Sequence, residues 1–442
     1  MGQLILRTLT EEQLSMIDDS VFRILREVGM RVDDEAAEKL LLQNGCLRSR
    51  EGRLLFPPDV VYSAIENVPA EIRIYDRDGN PTVSNRGRSC LSIGLNCMNI
   101  FDRKIGCQRP GLLQDVRDAA RVCDRLGGID MAAALYTPTD ITPEHQALAA
   151  VAAVTDETSK PVAFTAHDHK GAEAVWEHLA SEAGGWTKFT LKPSGLDLTG
   201  PTSPLFIGTE AVRRLRYAAS KNLPVVCYPG IIPGASSPVT LSGAVAQSSA
   251  EVLAGIVIHQ LENPGAPVLS GSAVLPMDMR RGVITYGSPE YSLACSAAVD
   301  YFNMLGIPSW IGGGCSDSHR PDSQAAAEAM MSMNMAVLSG TSFIHNAGYL
   351  SSGRTGSLEM IVLADELLRM STRLGNGLDC SCEAIGFDLI KSAAVDGDYM
   401  GSGHTIERMR TEMFFPDFFP RAEESDGREL WKLVVEKLES IL

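Results

Sequence analysis

Eight short apolar runs, each ending in small, polar or histidine residues and each followed by a helix-like stretch, recur along this 442-residue chain. They occupy residues 90–99, 129–137, 161–169, 188–197, 224–230, 267–274, 308–319 and 341–348. The clearest is Pro308-Ser309-Trp310-Ile311-Gly312-Gly313-Gly314-Cys315-Ser316-Asp317-Ser318-His319. Strand–helix alternation repeated in this way predicts an α/β fold, the parallel (β/α)8 TIM barrel. Such barrels place their chemistry at the carboxyl ends of the strands. The pattern therefore locates a site before it identifies a reaction.

A barrel of this kind uses about 250 residues, which leaves roughly 190 for additions. Residues 1–88 break the rhythm and read as an N-terminal α+β extension. Thr10 is placed to cap a helix over 11–28, a second helix runs near 34–43, and strands near 53–56 and 71–75 flank a third over 58–67. Residues 89–376 form the expected barrel, whose eighth helix covers 358–374. Residues 377–442 read as a C-terminal helical tail packed on the barrel, with helices over 382–395, 405–413 and 428–442. Its aromatic run, Phe414-Phe415-Pro416-Asp417-Phe418-Phe419-Pro420, is too apolar for water alone, so it packs on the barrel or on a second subunit of a homo-oligomer.

Hydrophobic residues make up 45% and charged residues 21%, which suits a globular protein with a large core. A net charge of −16 without a basic stripe argues against nucleic acid as a partner. No apolar run approaches the roughly 18 residues of a membrane span, and the opening Met1-Gly2-Gln3-Leu4-Ile5-Leu6 reads as neither a signal peptide nor a myristoylation site. Ten scattered cysteines point to reduced thiols and a cytoplasmic location. Cys380 and Cys382 are the one close pair, and no His or Cys cluster accompanies them for zinc.

Several chemistries can be weighed at the strand tips. His167-Asp168-His169 invites a metal-dependent hydrolase, but the fifth and sixth strands end in Tyr228 and Ser270 rather than further ligands, so no resident metal is expected. Gly312-Gly313-Gly314 lacks the residues of a phosphate loop or a dinucleotide fingerprint. No Gly-x-Ser-x-Gly elbow is present, and Cys315 reads as a buried thiol before it reads as a nucleophile. What recurs at the mouth is aromatic surface: Tyr136, Tyr228, Tyr286, Trp310, Phe343 and Tyr349. Several ring faces around a dry pocket are what a quaternary ammonium ion needs.

The segments Ser237-Pro238-Val239-Thr240-Leu241-Ser242-Gly243-Ala244, Gly313-Gly314-Cys315-Ser316-Asp317-Ser318, Pro321-Asp322-Ser323-Gln324 and 339–348 resemble the trimethylamine methyltransferase superfamily. The resemblance runs over most of the chain. It implies a barrel that demethylates a methylamine and passes the methyl to cobalt of a corrinoid (cobalamin) on a partner protein. Pyrrolysine, which the trimethylamine enzymes carry after the seventh strand, is replaced by Cys315 here. The chain thus resembles the non-pyrrolysine, glycine betaine:corrinoid methyltransferase-like branch, with carnitine or proline betaine as alternative substrates. A quaternary amine leaves as a neutral tertiary amine and needs no acid at its nitrogen, which fits the loss of pyrrolysine. The resemblance implies that His345 and Asn346 place the substrate carboxylate, and that Tyr136, His167, Tyr228, Trp310, Cys315, His319, Phe343 and Tyr349 line the substrate. It also implies that Gly313, Gly314 and Asp317 face the corrinoid. His319 stands where many relatives carry a lysine.

Overall fold

The computed structural model describes residues 4–84, 88–419, 421 and 429–442. Residues 1–3, Pro420 at the end of the aromatic run and Arg428 at the expected start of the last helix lie outside them. The barrel strands are β1 (Cys90–Ile93), β2 (Ala132–Ala133), β3 (Val162–Phe164), β4 (Gly195–Thr199), β5 (Val225–Cys227), β6 (Val268–Gly271), β7 (Ser309–Gly312) and β8 (Phe343–Ala347). Neighbours run β1, β8, β7, β6, β5, β4, β3, β2, and every pairing is parallel. A bridge from Ser92 to Met131 joins the first strand to the second and closes the ring. With both faces buried, the barrel strands do not alternate apolar and polar, and β5, Val225-Val226-Cys227, is apolar throughout.

The eight outer helices are α1 (Leu113–Arg125), α2 (Gln146–Glu157), α3 (His169–Glu182), α4 (Thr209–Ser220), α5 (Leu241–Glu262), α6 (Pro289–Met304), α7 (Ser323–Ser339) and α8 (Leu358–Gly375). Side chains of Asp168, Ser288, Asp322 and Ser357 cap α3, α6, α7 and α8, taking up N–H groups that the first turn leaves free. These helices therefore start abruptly, close to the strand tips. At the other end, Lys160 donates to the carbonyls of Cys123, Leu126 and Ile129 at 2.5–2.7 Å and seals the exit from α1.

Two expectations need correction. Residues 188–197 do not form one strand whose tip, with Lys192 and Ser194, would face the mouth. Trp186–Phe189 is a short helix, and β4 begins only at Gly195, so those side chains lie before the strand and away from the mouth. Helix α5 is also long and apolar enough, by length and composition, to cross a membrane; 83% of its most apolar window is buried, so that composition serves the core of the barrel shell.

The N-terminal helix Glu11–Arg23 has the reciprocal Thr10–Gln13 cap and packs on α5 and α6. The short strand Arg31–Val32 pairs with Phe206–Ile207, and the helix Pro58–Asn67 lies on α5. In the tail, the helix expected over 382–395 breaks at Gly386, whose φ of +62° ends Cys382–Ile385 before Phe387–Asp396 begins. Glu366 of α8 accepts from the N–H groups of Asp417 and Phe418, which buries Phe418 and leaves Phe415 exposed. The last helix, Leu430–Ile441, lies against α8 and α1.

Candidate active site

The residues that converge at the mouth are set by three local features. In β8 the pairing with β1 shifts register between Ile344 and Ala347, and Asn346 adopts a φ of +74°, a left-handed value that asparagine tolerates better than most residues. Such a bulge adds a residue and re-aims its neighbours. Consecutive residues that an even pleat would send to opposite faces, His345 and Asn346, both meet residues of the barrel interior here. The second feature is glycine. A Cβ at Gly312 would lie 2.0 Å from the Tyr291 hydroxyl and 2.4 Å from Asn346 Nδ2, and one at Gly94 would lie 2.0 Å from the Tyr349 ring. The third is the start of α6: helical side chains lean toward the N-terminus, so Tyr291 in its first turn reaches over the rim.

The result is an aromatic cluster around His345. The indole of Trp310 stacks on the imidazole at 5.1 Å, with Phe343 at 5.6 Å from the indole. Tyr228, just past β5, meets the imidazole edge-on at 5.3 Å. Tyr286, in the β6–α6 connection, meets Tyr291 at 5.1 Å and Tyr349 at 5.9 Å, both edge-on. Asn346 Nδ2 donates to the Tyr291 hydroxyl at 3.2 Å, and Tyr349 donates to the Leu95 carbonyl at 2.5 Å.

The cluster holds no formal charge. Burial pushes the phenols of Tyr228, Tyr286, Tyr291 and Tyr349 upward, and does the same to the Cys315 thiol. Burial also pushes His345 down to about 3, so its imidazole is neutral at working pH. Yet polar atoms stand ready. Trp310 Nε1, both nitrogens of His345, Asn346 Oδ1 and Ser272 Oγ are buried without a hydrogen-bond partner among the described residues. Buried polar groups left unpaired are costly, and a group of them marks a place where a ligand's own polar atoms can bind.

Other expected site residues lie apart from the cluster. Tyr136, buried, and His167, exposed, line a smaller cavity of about 280 Å3 above β2 and β3. His319 is exposed at the lip of a larger cavity of about 810 Å3, with its Nδ1 2.9 Å from Ser351 Oγ. Asp317 lines that cavity too, but its carboxylate accepts from the N–H groups of Tyr286 and Gly287 at 2.8 and 2.9 Å, so it holds the Tyr286 loop in place. Cys315 is fully buried, with its Sγ near the Tyr286 carbonyl and Ser332 Oγ. A Cβ at Gly313 would meet Ile344 and Ala336, and one at Gly314 would meet Met333, so these glycines permit close helix–strand packing with α7.

The histidine pair of the hydrolase alternative does not form a site. His169 Nδ1 is bound to Glu210 at 2.7 Å, and Asp168 is occupied as the α3 cap. Among the described residues no group of three His, Cys, Asp or Glu is spaced to hold a metal, Cys380 and Cys382 included. Tyr291 is absent from the expected set because its helical spacing reads as core. The signal that would have found it is its place two residues after the Ser288-Pro289 cap, at the mouth end of α6.

Stability should carry the mark of the buried imidazoles. His259 on α5 is also pushed by burial down to about 3. Each folded-state value lies below the unfolded one of about 6.5, so the unfolded chain binds the extra proton first and stability falls as pH drops from about 6.5 toward 3. Denaturant titrations from about pH 7 to 5 should show this decline. In His259→Gln, which lies outside the cluster, the slope should ease by up to about 1.4 kcal/mol per pH unit; an unchanged slope would contradict the assignment.

Comparison with known proteins agrees with this architecture. The chain is 28% identical over 405 residues to trimethylamine methyltransferase MttB of Desulfitobacterium hafniense, covering 91% of this chain and 82% of that protein. It is 28% identical over 428 residues to the glycine betaine methyltransferase of Desulfitobacterium hafniense strain Y51, covering 96% and 89%. In three dimensions it is similar to the Methanosarcina barkeri monomethylamine methyltransferase MtmB, with a TM-score of 0.52 at 13% identity over 97% of this chain and 92% of that one, which speaks for the fold alone. The family match itself extends over residues 3–431, and with the closed barrel and its uncharged aromatic mouth it establishes that the chain belongs to the trimethylamine methyltransferase (MTTB) family.

Proposed function

We propose that this protein takes a methyl group from a quaternary ammonium betaine, glycine betaine being the first candidate, and delivers it to a corrinoid carried by a partner protein. Methyltransferases of this family act with corrinoid proteins. The observation that carries the choice of substrate is the chargeless aromatic cluster with its orphaned polar atoms. Ring faces attract a permanent cation, and more strongly once water is excluded. A carboxylate beside the nitrogen would hold the cationic ground state harder than a transition state in which that charge is dispersing; neutral rings avoid this cost. Trp310 Nε1 and the one N–H of neutral His345 are donors without partners, and Asn346 Oδ1 is an acceptor without one. His345, held neutral by burial, brings no positive charge to a substrate carboxylate. Cys315, with its thiol held protonated by burial, supplies neither acid nor nucleophile, in keeping with a tertiary amine that leaves neutral.

The corrinoid would supply the low-valent cobalt nucleophile that accepts the methyl. The cavity of about 810 Å3 is lined by Asp317 and His319 from the loop after β7 and by Ser352 and Arg354 from the turn after β8. Incubation with a reduced corrinoid protein and glycine betaine should yield dimethylglycine and a change in the corrinoid spectrum. A single-methylene betaine that fails where carnitine or proline betaine succeeds would move the substrate within the class. No methyl transfer from any betaine would sink the proposal.

A further inference from the structure

The cavity of about 810 Å3 over β7 has its charges sorted by depth. Asp317 and Glu328 are partly buried and already engaged: Asp317 by two backbone N–H groups, Glu328 by Ser316 Oγ at 2.6 Å and the Asp317 N–H at 2.8 Å. Asp322 caps α7 and faces Arg320, and Asp278 is taken by Arg280. At the rim stand Arg281 and Arg354, both exposed. Neither has a carboxylate within ion-pair distance among the described residues, although four acids line the same cavity; the Arg354 guanidinium donates only to the Ser351 carbonyl, at 3.2 Å.

The turn that presents Arg354 is costly. Ser351, Ser352 and Gly353 are left-handed in succession, with φ of 50°, 58° and 76°. Such conformations on non-glycine residues persist where the surroundings over-determine them, and they cluster at functional sites. The same turn backs the aromatic cluster: a Cβ on Gly353 would lie 3.1 Å from the Tyr286 ring and 3.3 Å from that of Tyr349. The residue next to Gly353 is Arg354, which has no carboxylate within ion-pair distance among the described residues.

We propose that Arg354, with Arg281, forms an anion subsite that receives the carboxylate of a zwitterionic substrate whose quaternary nitrogen lies against Tyr286. The proposal rests on the methyltransferase reading and deepens it: the residues that select the betaine carboxylate come from the β6–α6 connection and the turn after β8 rather than from His345 or His319. A planar carboxylate matches the fork of a guanidinium, and a free guanidinium at a cavity lip loses little on accepting it.

The test compares binding of glycine betaine, 4-(trimethylammonio)butyrate, butyrate and tetramethylammonium to the wild type and to Arg354→Gln, Arg281→Gln and Arg354→Lys by calorimetry. It adds methyl transfer with the corrinoid partner. In the glutamine variants, affinity for the betaines should fall by about tenfold or more relative to tetramethylammonium, and Arg354→Lys should keep part of it. An equal loss for tetramethylammonium, or betaine affinity unchanged, would overturn the subsite. So would a raised KM for the corrinoid protein alone, which would assign the arginines to that partner. The two readings fail separately. Arginine-dependent butyrate binding with no methyl transfer from any betaine leaves the subsite standing and removes the reaction. Methyl transfer indifferent to both glutamine variants does the reverse.

Discussion

Gly312→Ala is expected to lower kcat/KM by about 100-fold or more while the barrel stays folded. The new methyl would arrive 2.0 Å from the Tyr291 hydroxyl and 2.4 Å from Asn346 Nδ2, the two groups that bond each other at 3.2 Å beside His345. Both are the far ends of side chains, so they can yield, but only by leaving the positions that define the mouth. Misplacement of a positioning group by about 1 Å is enough for a loss near 100-fold. Overpacking of this kind costs about 1–3 kcal/mol, small beside the cooperative stability of a barrel this size. Steady-state kinetics with the best betaine, set beside a thermal melt, reads both quantities. Activity within a factor of two of the wild type would show that Tyr291 and Asn346 do not shape the site.

The largest loss of stability is expected at Arg214→Met. Arg214 is 7% exposed and Asp197 is 0% exposed, and the two form a buried ion pair through Nε and Nη2. The same guanidinium donates to the carbonyls of Ala166 and Leu198, each at 2.8 Å, so it ties the tips of β3 and β4 together beside His167. Removing the cation strands the Asp197 carboxylate in the interior, which costs about 3–5 kcal/mol, whereas replacing both partners by apolar residues is often near neutral. Urea titration should therefore show a steep loss for Arg214→Met and recovery of most of it in Arg214→Met/Asp197→Leu. Equal losses in the two variants would mean that the carbonyl contacts, and not the charge pair, carry the stability.

The barrel was legible because its signal is periodic. Each strand buries both faces, so each reads as an apolar run, and each helix begins at a cap such as Asp322 or Ser357. The fourth repeat departs from the expected 188–197 because Lys188-Phe189-Thr190-Leu191-Lys192 alternates polar and apolar like a strand, while the true strand starts at a glycine, Gly195, where tertiary packing overrides propensity. At the site, tip residues that a regular strand points inward, such as Trp310, Phe343 and His345, could be found by counting. Asn346 joins them only through the bulge, and no periodicity encodes a bulge. Tyr291 and Arg354 come from a helix start and a strained turn, and their roles depend on which element lies across from them.

The uncharged lining of the cluster also bears on what it turns away. A primary or secondary ammonium must surrender strongly held water and find an acceptor for every N–H, and the unpartnered acceptors among the described residues of the cluster are few: Asn346 Oδ1, one nitrogen of His345 and Ser272 Oγ. A quaternary nitrogen has no N–H to satisfy and sheds only loosely held solvent. On the betaine reading proposed above, lysine-like amines would be turned away by the cost of drying them rather than by shape, and protonated amines in a cell would compete poorly for the mouth.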